Sequence, residues 1–133
     1  MILLDTHVVY WAVCEPRRLS RAAVRSIERS GVPNGLAIAS VTLFELAGLF
    51  RGGRIRENRP LAVASAVGSI VTAARVKVLD ITVEIAAAAT EFPHDFPHDP
   101  MDRLIAATAR AYGCPLVTKD QRMQESPLVQ TIW

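Results

Sequence analysis

The stretch DPMDRLIAATARAYGCPLVTKD, residues 99–120, decides the fold of this chain, because it predicts an acidic loop, a helix and a short strand in close succession. Asp99 is a typical N-cap residue, and Pro100 suits the first helical position. Gly113 is typical of the point where a helix ends. The apolar run that follows predicts a buried strand that stops just before Asp120.

Asp102 falls in the first turn of the same predicted helix. Carboxylates near a helix N-terminus are favoured by roughly 0.3 to 1 kcal/mol, so Asp99 and Asp102 can be explained as a capping pair. On this stretch alone, a structural and a functional explanation are both open. The choice depends on which other acids the fold brings nearby.

Strand and helix patterns alternate along the rest of the chain. Short apolar runs predict strands at Ile2–Leu4, Leu36–Ser40, Val76–Leu79, Leu116–Val117 and, at an edge, Leu128–Ile132. Helices are predicted over His7–Cys14, from a cap at Ser20 to Gly31, and over Thr42–Phe50, Leu61–Ala74 and Thr82–Glu91, with a short turn or helix over Gln121–Glu125. This alternation predicts an α/β fold with a central parallel sheet of four to five strands between two helical layers. In such sheets, ligands bind beyond the carboxyl ends of the strands.

The composition is that of one globular domain. The 133 residues, of which 50% are hydrophobic and 21% charged, predict a single domain over 1–133. The formal charge of +2 neither demands nor excludes a nucleic-acid partner.

The cysteines and the first residues bear on the compartment. Cys14 and Cys114 lie far apart beside apolar neighbours, which predicts buried free thiols in a reducing environment. The opening MILLDTH becomes acidic too early for a signal peptide, and no apolar run approaches the length of a membrane span. We therefore expect a soluble, cytoplasmic protein that does not enter a membrane.

Four acids are predicted to meet at one rim of the sheet. Asp5 and Asp120 each follow a strand, whereas Glu45 and Asp102 are each expected in the first turn of a helix. Two like charges about 4 Å apart repel by about 4 kcal/mol near a protein surface, so a cation is expected among them. Oxygen ligands without cysteine suit Mg²⁺ or Mn²⁺, which also bind phosphate oxygens. This pattern indicates hydrolysis of a phosphodiester by a metal-bound water.

Glu45 also has a structural explanation. It lies three residues after Thr42, which is the spacing of a capping box. A capping explanation covers Glu45 and Asp102 singly, but it does not account for Asp5 and Asp120.

Three segments together resemble a known family. LLDTHVVYW at the start, SVTLFELA around Glu45 and the stretch 99–120 occur in the order and at the spacings of the PIN domain, and are most similar to the VapC-type toxins of bacterial and archaeal toxin-antitoxin pairs. The resemblance spans nearly the whole chain. It implies a PIN-like fold and a Mg²⁺- or Mn²⁺-dependent endoribonuclease that inhibits translation by cutting RNA. It also implies a small cognate antitoxin, a hetero-oligomer with it, and a homodimer.

The resemblance assigns roles to individual residues. Asp5, Glu45, Asp102 and Asp120 match the family's catalytic and metal-binding acids. Thr6 and Thr118 match hydroxyl residues that flank the pocket, and Asp99 matches an additional acid that is either an outer ligand or a cap. Candidate substrate contacts are Arg51, Arg54, Arg103 and Lys119. The region from Gly53 to Arg75 matches no motif of the family.

The sequence also supports expectations for the histidines and tryptophans. His94 and His98 lie in the repeat FPHDFPHD, which is rich in proline and has no distant third ligand, so a transition-metal site is not favoured. His7 is close in sequence to Asp5 and is either a substrate contact or a tolerated helix-start residue. Trp11 and Trp133 are expected to pack in the core.

Two other functions are compatible with parts of the pattern. A PIN-like module that binds RNA or protein without turnover would keep the fold, although it gains nothing from clustered acids. A response-regulator-like receiver is also doubly wound, but it has paired acids after its first strand, where this chain has Asp5 followed by Thr6.

Overall fold

The computed structural model describes residues 1–30, 35–54 and 60–133 and has one central sheet. Its five strands, in the order β3-β2-β1-β4-β5, are all parallel. The strands are β1 Ile2–Leu4, β2 Leu36–Ala39, β3 Lys77–Leu79, β4 Leu116–Val117 and β5 Thr131–Ile132. The predicted α/β class with a parallel sheet is confirmed.

Helices connect successive strands and cover both faces of the sheet. They are α1 Thr6–Cys14, α2 Arg21–Ser30, α3 Val41–Leu49, α4 Pro60–Ala74, α5 Val83–Thr90, α6 Pro100–Ala111 and α7 Gln121–Glu125. A 3₁₀ turn covers Pro16–Arg18, and a π-helical turn, Phe50–Arg54, continues α3. In the described part of the chain, no helix is long and apolar enough to cross a membrane.

The ends of α6 match the prediction in detail. The Asp99 side chain accepts a hydrogen bond from the backbone N–H of Met101, at 2.8 Å, and Pro100 is the first helical residue. Gly113 has a φ of 58°, a left-handed conformation that favours glycine. The strand β4 begins three residues later, so the chain reverses direction within a short turn.

Some predicted boundaries are wrong. The last strand is Thr131–Ile132 rather than the longer edge strand, because Ser126 forms a turn by accepting a hydrogen bond from Leu128 N–H, and Val129 is buried in the core. The helix predicted from Thr42 begins at Val41 and passes into the π-helical turn. The predicted stop of α2 at Gly31 lies outside the described residues.

The sheet separates two apolar clusters. One packs α5 and α6 against one face and includes Leu3, Ile105 and Phe96. The other includes Trp11 and packs α1 and α3 against the opposite face, with Trp133 partly buried at its margin. The predicted packing roles of the tryptophans are confirmed. The prediction that both thiols are buried is wrong for Cys14, which is exposed at the last residue of α1, whereas Cys114 is buried.

Candidate active site

Three neighbouring strands of the sheet lead to the acidic rim. Asp5 directly follows β1 and is the N-cap of α1, and Asp120 follows β4 and is the N-cap of α7. The strand β2 lies on the other side of β1 and is followed by α3, which carries Glu45. Because the three strands are parallel, their carboxyl ends deliver these acids to one edge of the sheet.

Asp5 is the most buried of the acids, with 9% of its surface exposed. Its Oδ1 accepts a hydrogen bond from the backbone N–H of Thr6, and its Oδ2 accepts one from Thr118 Oγ1, each at 2.7 Å. Burial raises the pKa of Asp5, although the bonds from Thr118 and Thr6 and the nearby His7 act in the opposite direction. The two hydrogen bonds fix the orientation of the carboxyl group.

Glu45 is tied to the same place through a second threonine. Thr6 Oγ1 donates to Glu45 Oε2 at 2.5 Å and lies 3.4 Å from Thr42 Oγ1. The prediction that Glu45 is in the first turn of its helix is wrong, because α3 starts at Val41 after the N-cap Ser40. The capping box is wrong for the same reason, since Thr42 is buried against Thr6 rather than capping the helix.

Asp102 lies among the other acids. Burial is the largest cause that raises its pKa, to about 7, followed by the charges of Asp5, Asp99, Asp120 and Glu45. Among the described residues, no hydrogen-bond donor reaches the Asp102 carboxyl group. A nearby cation would lower this pKa and favour the ionised carboxylate at neutral pH.

Asp99 and Asp120 combine a capping role with membership of the cluster. Asp120 Oδ1 accepts from Met123 N–H at 3.0 Å, just as Asp99 caps α6. Thr118 connects two of the acids, because its hydroxyl donates to Asp5 and accepts from Asp120 N–H at 3.0 Å. The expectation that capping does not account for Asp5 and Asp120 is therefore wrong, because each is the N-cap of a helix, whereas Asp99 caps α6 as predicted.

Buried Thr42 is a site residue that sequence reasoning missed. Its hydroxyl backs the Thr6 side chain that holds Glu45. The signal was present in the spacing of Thr42 and Glu45, which was interpreted as a capping box. A threonine one turn before a functional acid can equally contact the side chain that orients that acid.

The residues predicted to contact substrate have different surroundings in the structure. Arg51 is exposed in the π-helical turn that follows α3, and Lys119 lies over the ring of Trp11, with its Nζ 5.7 Å from the ring centre. The Arg54 side chain lies outside the described part of the structure. The contacts of these three residues with substrate remain predictions.

Arg103 holds the loop that leads into α6. Its guanidinium donates to the backbone carbonyls of Pro97 (2.8 Å), Phe92 (2.8 Å) and Pro93 (3.1 Å). All three guanidinium nitrogens therefore have backbone acceptors, which gives Arg103 a role in the loop, and its contact with substrate stays a prediction.

Replacing Arg103 tests this role. We expect Arg103→Ala to lower the free energy of unfolding by about 1.5 to 3 kcal/mol, because three charge-assisted hydrogen bonds to the loop are lost. Arg103→Lys should recover only part of this, since an ammonium group cannot reach three carbonyls in the same geometry. Urea denaturation measures the effect.

Arg110→Ala is the matched control. Arg110 is exposed on the same helix and lies over the ring of Phe92, with its Cζ 5.5 Å from the ring centre, so its loss should cost less than about 1 kcal/mol. Equal stability of the Arg103→Ala variant and the wild type would contradict the loop-holding role.

The two histidines of the repeat lie in the segment between α5 and α6. The rings of His94 and His98 are 6.4 Å apart, and in residues 1–30, 35–54 and 60–133 no three His, Cys, Asp or Glu side chains are arranged as a metal-binding group. Mg²⁺ does not need such a group, because it is commonly bound by one or two carboxylates together with water and substrate phosphates. The donor chemistry around Asp102 fits such an ion, since all five acids offer only oxygen and the charges of the other four raise the pKa of Asp102.

The raised pKa values predict how pH affects the metal-free protein. An unfolded Asp loses its proton near pH 4, whereas folded Asp102 retains its proton up to about pH 7. The folded state therefore binds more protons in this window, and stability should fall as pH rises from about 4 to about 7. We expect the melting temperature in EDTA to be lower at pH 8 than at pH 5, and the difference to shrink in Asp102→Asn. A melting temperature that rises over this range, equally in both proteins, would contradict the prediction.

The all-parallel sheet with acids beyond its carboxyl edge places the chain in the class of α/β proteins whose site lies at that edge. Residues 2–127 match the PIN domain family, and the chain belongs to that family. It is 43% identical to Ribonuclease VapC22 of Mycobacterium tuberculosis (strain ATCC 25618 / H37Rv), with 99% of this chain and 98% of that protein covered.

Two solved structures support the fold. VapBC2 from Rickettsia felis, bound to a DNA fragment from its promoter, superposes with a TM-score of 0.72 at 20% identity, covering 98% of this chain and 97% of that chain. VapC20 of Mycobacterium tuberculosis, described as a sarcin-ricin loop cleaving toxin, gives a TM-score of 0.62 at 20% identity, covering 98% and 99%. The predicted PIN-like fold is therefore confirmed.

Proposed function

We propose that this protein is a Mg²⁺- or Mn²⁺-dependent endoribonuclease that acts as the toxin of a toxin-antitoxin pair. The observation that carries the proposal is the convergence of Asp5, Glu45, Asp99 and Asp120 on Asp102, in a chain that is 43% identical to a ribonuclease over nearly its full length. A charge cluster of this kind costs stability in the absence of a cation, so a purely structural role does not explain it.

The chain's own residues prepare the site for hydrolysis. Asp5 and Asp102 would hold the ion, with Glu45 and Asp120 beside them, and a bound ion would activate water and neutralise charge on the phosphate. Thr118 keeps Asp5 oriented, and Thr6 fixes Oε2 of Glu45, which leaves Oε1 to accept a proton from water. Asp99 would act from the outer shell while it caps α6.

Substrate and partners follow from the same proposal. Exposed Arg51 and Lys119, with Arg54, would contact RNA phosphates on either side of the cleaved bond. A small antitoxin would block the site, by analogy with the VapBC complexes among the structural neighbours. We further propose that residues 1–133 act as a single domain, as a homodimer and in the cytoplasm, where RNA is accessible. Because the chain belongs to the PIN family, the response-regulator-like receiver is excluded.

The test uses the purified chain expressed without a partner. Incubation with total bacterial RNA in Mg²⁺ or Mn²⁺ should produce discrete fragments, EDTA should stop the reaction, and excess Mg²⁺ should restore it. The Asp102→Asn variant, purified in parallel, reports contaminating nucleases. A binding module without turnover would retain RNA on a filter and release no fragments, and either that result or EDTA-resistant cleavage would refute the proposal.

A further inference from the structure

A cavity lies beside the acidic cluster on the α3 side. It has a volume of about 390 Å³ and is lined by Thr6, His7, Glu45, Gly48, Leu49 and Gly52. That volume is at the small end of the roughly 300 to 1,000 Å³ of ligand pockets, which suits one nucleotide rather than a longer segment. The cavity shares Glu45 with the site proposed to cut RNA, so its occupant would be next to the reacting phosphate.

Two glycines keep this cavity open. A Cβ atom built at Gly48 or at Gly52 would meet nothing within 4 Å, and neither residue has a positive φ. Neither backbone conformation nor packing therefore requires glycine here. Gly48 lies within α3, where glycine costs about 1 kcal/mol relative to alanine. Because these two residues have no side chains, the cavity between them and Glu45 stays open.

His7 provides a ring at the edge of the cavity. It is exposed at the start of α1, and its ring lies 5.6 Å from the ring of Trp11, which restrains it. His7 is also close enough to Asp5 and Glu45 to influence both carboxyl groups. An imidazole can stack on a base and hydrogen-bond to its edge, and Leu49 supplies an apolar wall.

We propose that this cavity binds one unpaired RNA base next to the cleaved phosphate, and that it sets a base preference at that position. The base lies in the cavity over Gly48 and Gly52 and contacts the ring of His7. Single-stranded RNA is commonly recognised in this way, through splayed bases on aromatic or imidazole rings. The inference rests on the proposed function, because it identifies a substrate subsite of the same reaction.

The experiment compares two glycine variants. The probe is a random-sequence, single-stranded 12-nucleotide RNA pool cleaved in Mn²⁺, with sequencing of the product ends to give the base preference around the cut. Gly48→Leu should fill the cavity, raise KM about tenfold, leave kcat within about threefold and flatten the preference at one position beside the cut. His7→Ala should raise KM similarly, and His7→Phe should restore it, because the ring is retained.

Gly68→Leu is the matched control. Gly68 is also exposed in a helix, and a Cβ there also meets nothing within 4 Å, but it lines a different groove, between α3 and α4. It should leave KM and the base preference unchanged, and both glycine variants should melt at or above the wild-type temperature, because leucine favours a helix over glycine.

The outcomes separate the two proposals. Cleavage by the wild type with unchanged KM and preference in Gly48→Leu would overturn the base-binding subsite and leave the ribonuclease function intact. An equal effect in Gly68→Leu would also overturn the subsite, because the effect would not be local. If the wild type cleaves no RNA, the proposed function fails, and the subsite fails with it.

Discussion

We expect Asp102→Asn to lower kcat for RNA cleavage on the order of 10³-fold while raising the melting temperature of the metal-free protein at pH 8. Asp102 is partly buried among four other acids, and its pKa of about 7 shows that its charged form is unfavourable without a cation. Asparagine keeps the shape and removes the charge. The activity falls because a ligand of the ion is lost, and the stability rises because repulsion is lost. Initial rates at saturating RNA and thermal melts in EDTA measure the two effects.

Glu28→Gln is the control for this change. Glu28 is exposed on α2 and is not among the acids whose charges raise the pKa of Asp102, so removing its charge should alter neither quantity. Loss of activity accompanied by a lower melting temperature would indicate that Asp102 is needed for folding rather than for holding an ion. Full activity of Asp102→Asn would remove it from the site.

The second large effect is the loss of kcat in Asp5→Asn and in the double variant Asp5→Asn/Asp102→Asn. Asp5→Asn alone should also reduce kcat on the order of 10³-fold, because Asp5 is the acid whose orientation is fixed most firmly, by bonds to Thr6 and Thr118. If Asp5 and Asp102 hold one ion, Asp5→Asn/Asp102→Asn should be no more than about threefold slower than either single variant. Groups that act as a unit show this non-additivity.

Multiplication of the two losses would contradict a shared ion. In that case the double variant would be slower on the order of 10⁶-fold, which is the product expected for independent contributions. Circular dichroism of all three variants should match the wild type, so that the comparison concerns the site and not the fold.

The order of elements could be predicted because short apolar runs and helix caps are local signals. Ile2–Leu4 and Leu116–Val117 are buried strands, and Asp99, Pro100 and Gly113 define the ends of α6 as the residue types predict. The edge strand was misjudged because Leu128 and Val129 are apolar for packing, and the turn at Ser126 prevents them from extending the strand.

The hydrogen bonds that orient the acids could not be predicted in the same way. The bond from Thr118 to Asp5 joins residues 113 positions apart, and the bond from Thr6 to Glu45 joins residues 39 positions apart. Such contacts depend on strand order, which local patterns do not specify. The loop-holding contacts of Arg103 could not be predicted for a related reason: a basic residue beside an acidic site suggests a substrate contact, and its backbone acceptors have no sequence signature.

The position of Glu45 shows how one spacing supports two interpretations. Thr42 and Glu45 are three residues apart, as in a capping box, yet the helix begins one residue earlier and Thr42 points to Thr6. A shift of one residue in a helix start changes a capping pair into part of a site.

The most direct test of the acidic cluster is a crystal of this protein soaked in Mn²⁺, with an anomalous difference map recorded at the manganese edge. The account predicts a peak within bonding distance of carboxylate oxygens of both Asp5 and Asp102. A well-ordered map with no peak there, or with its only peak at another acid, would contradict it.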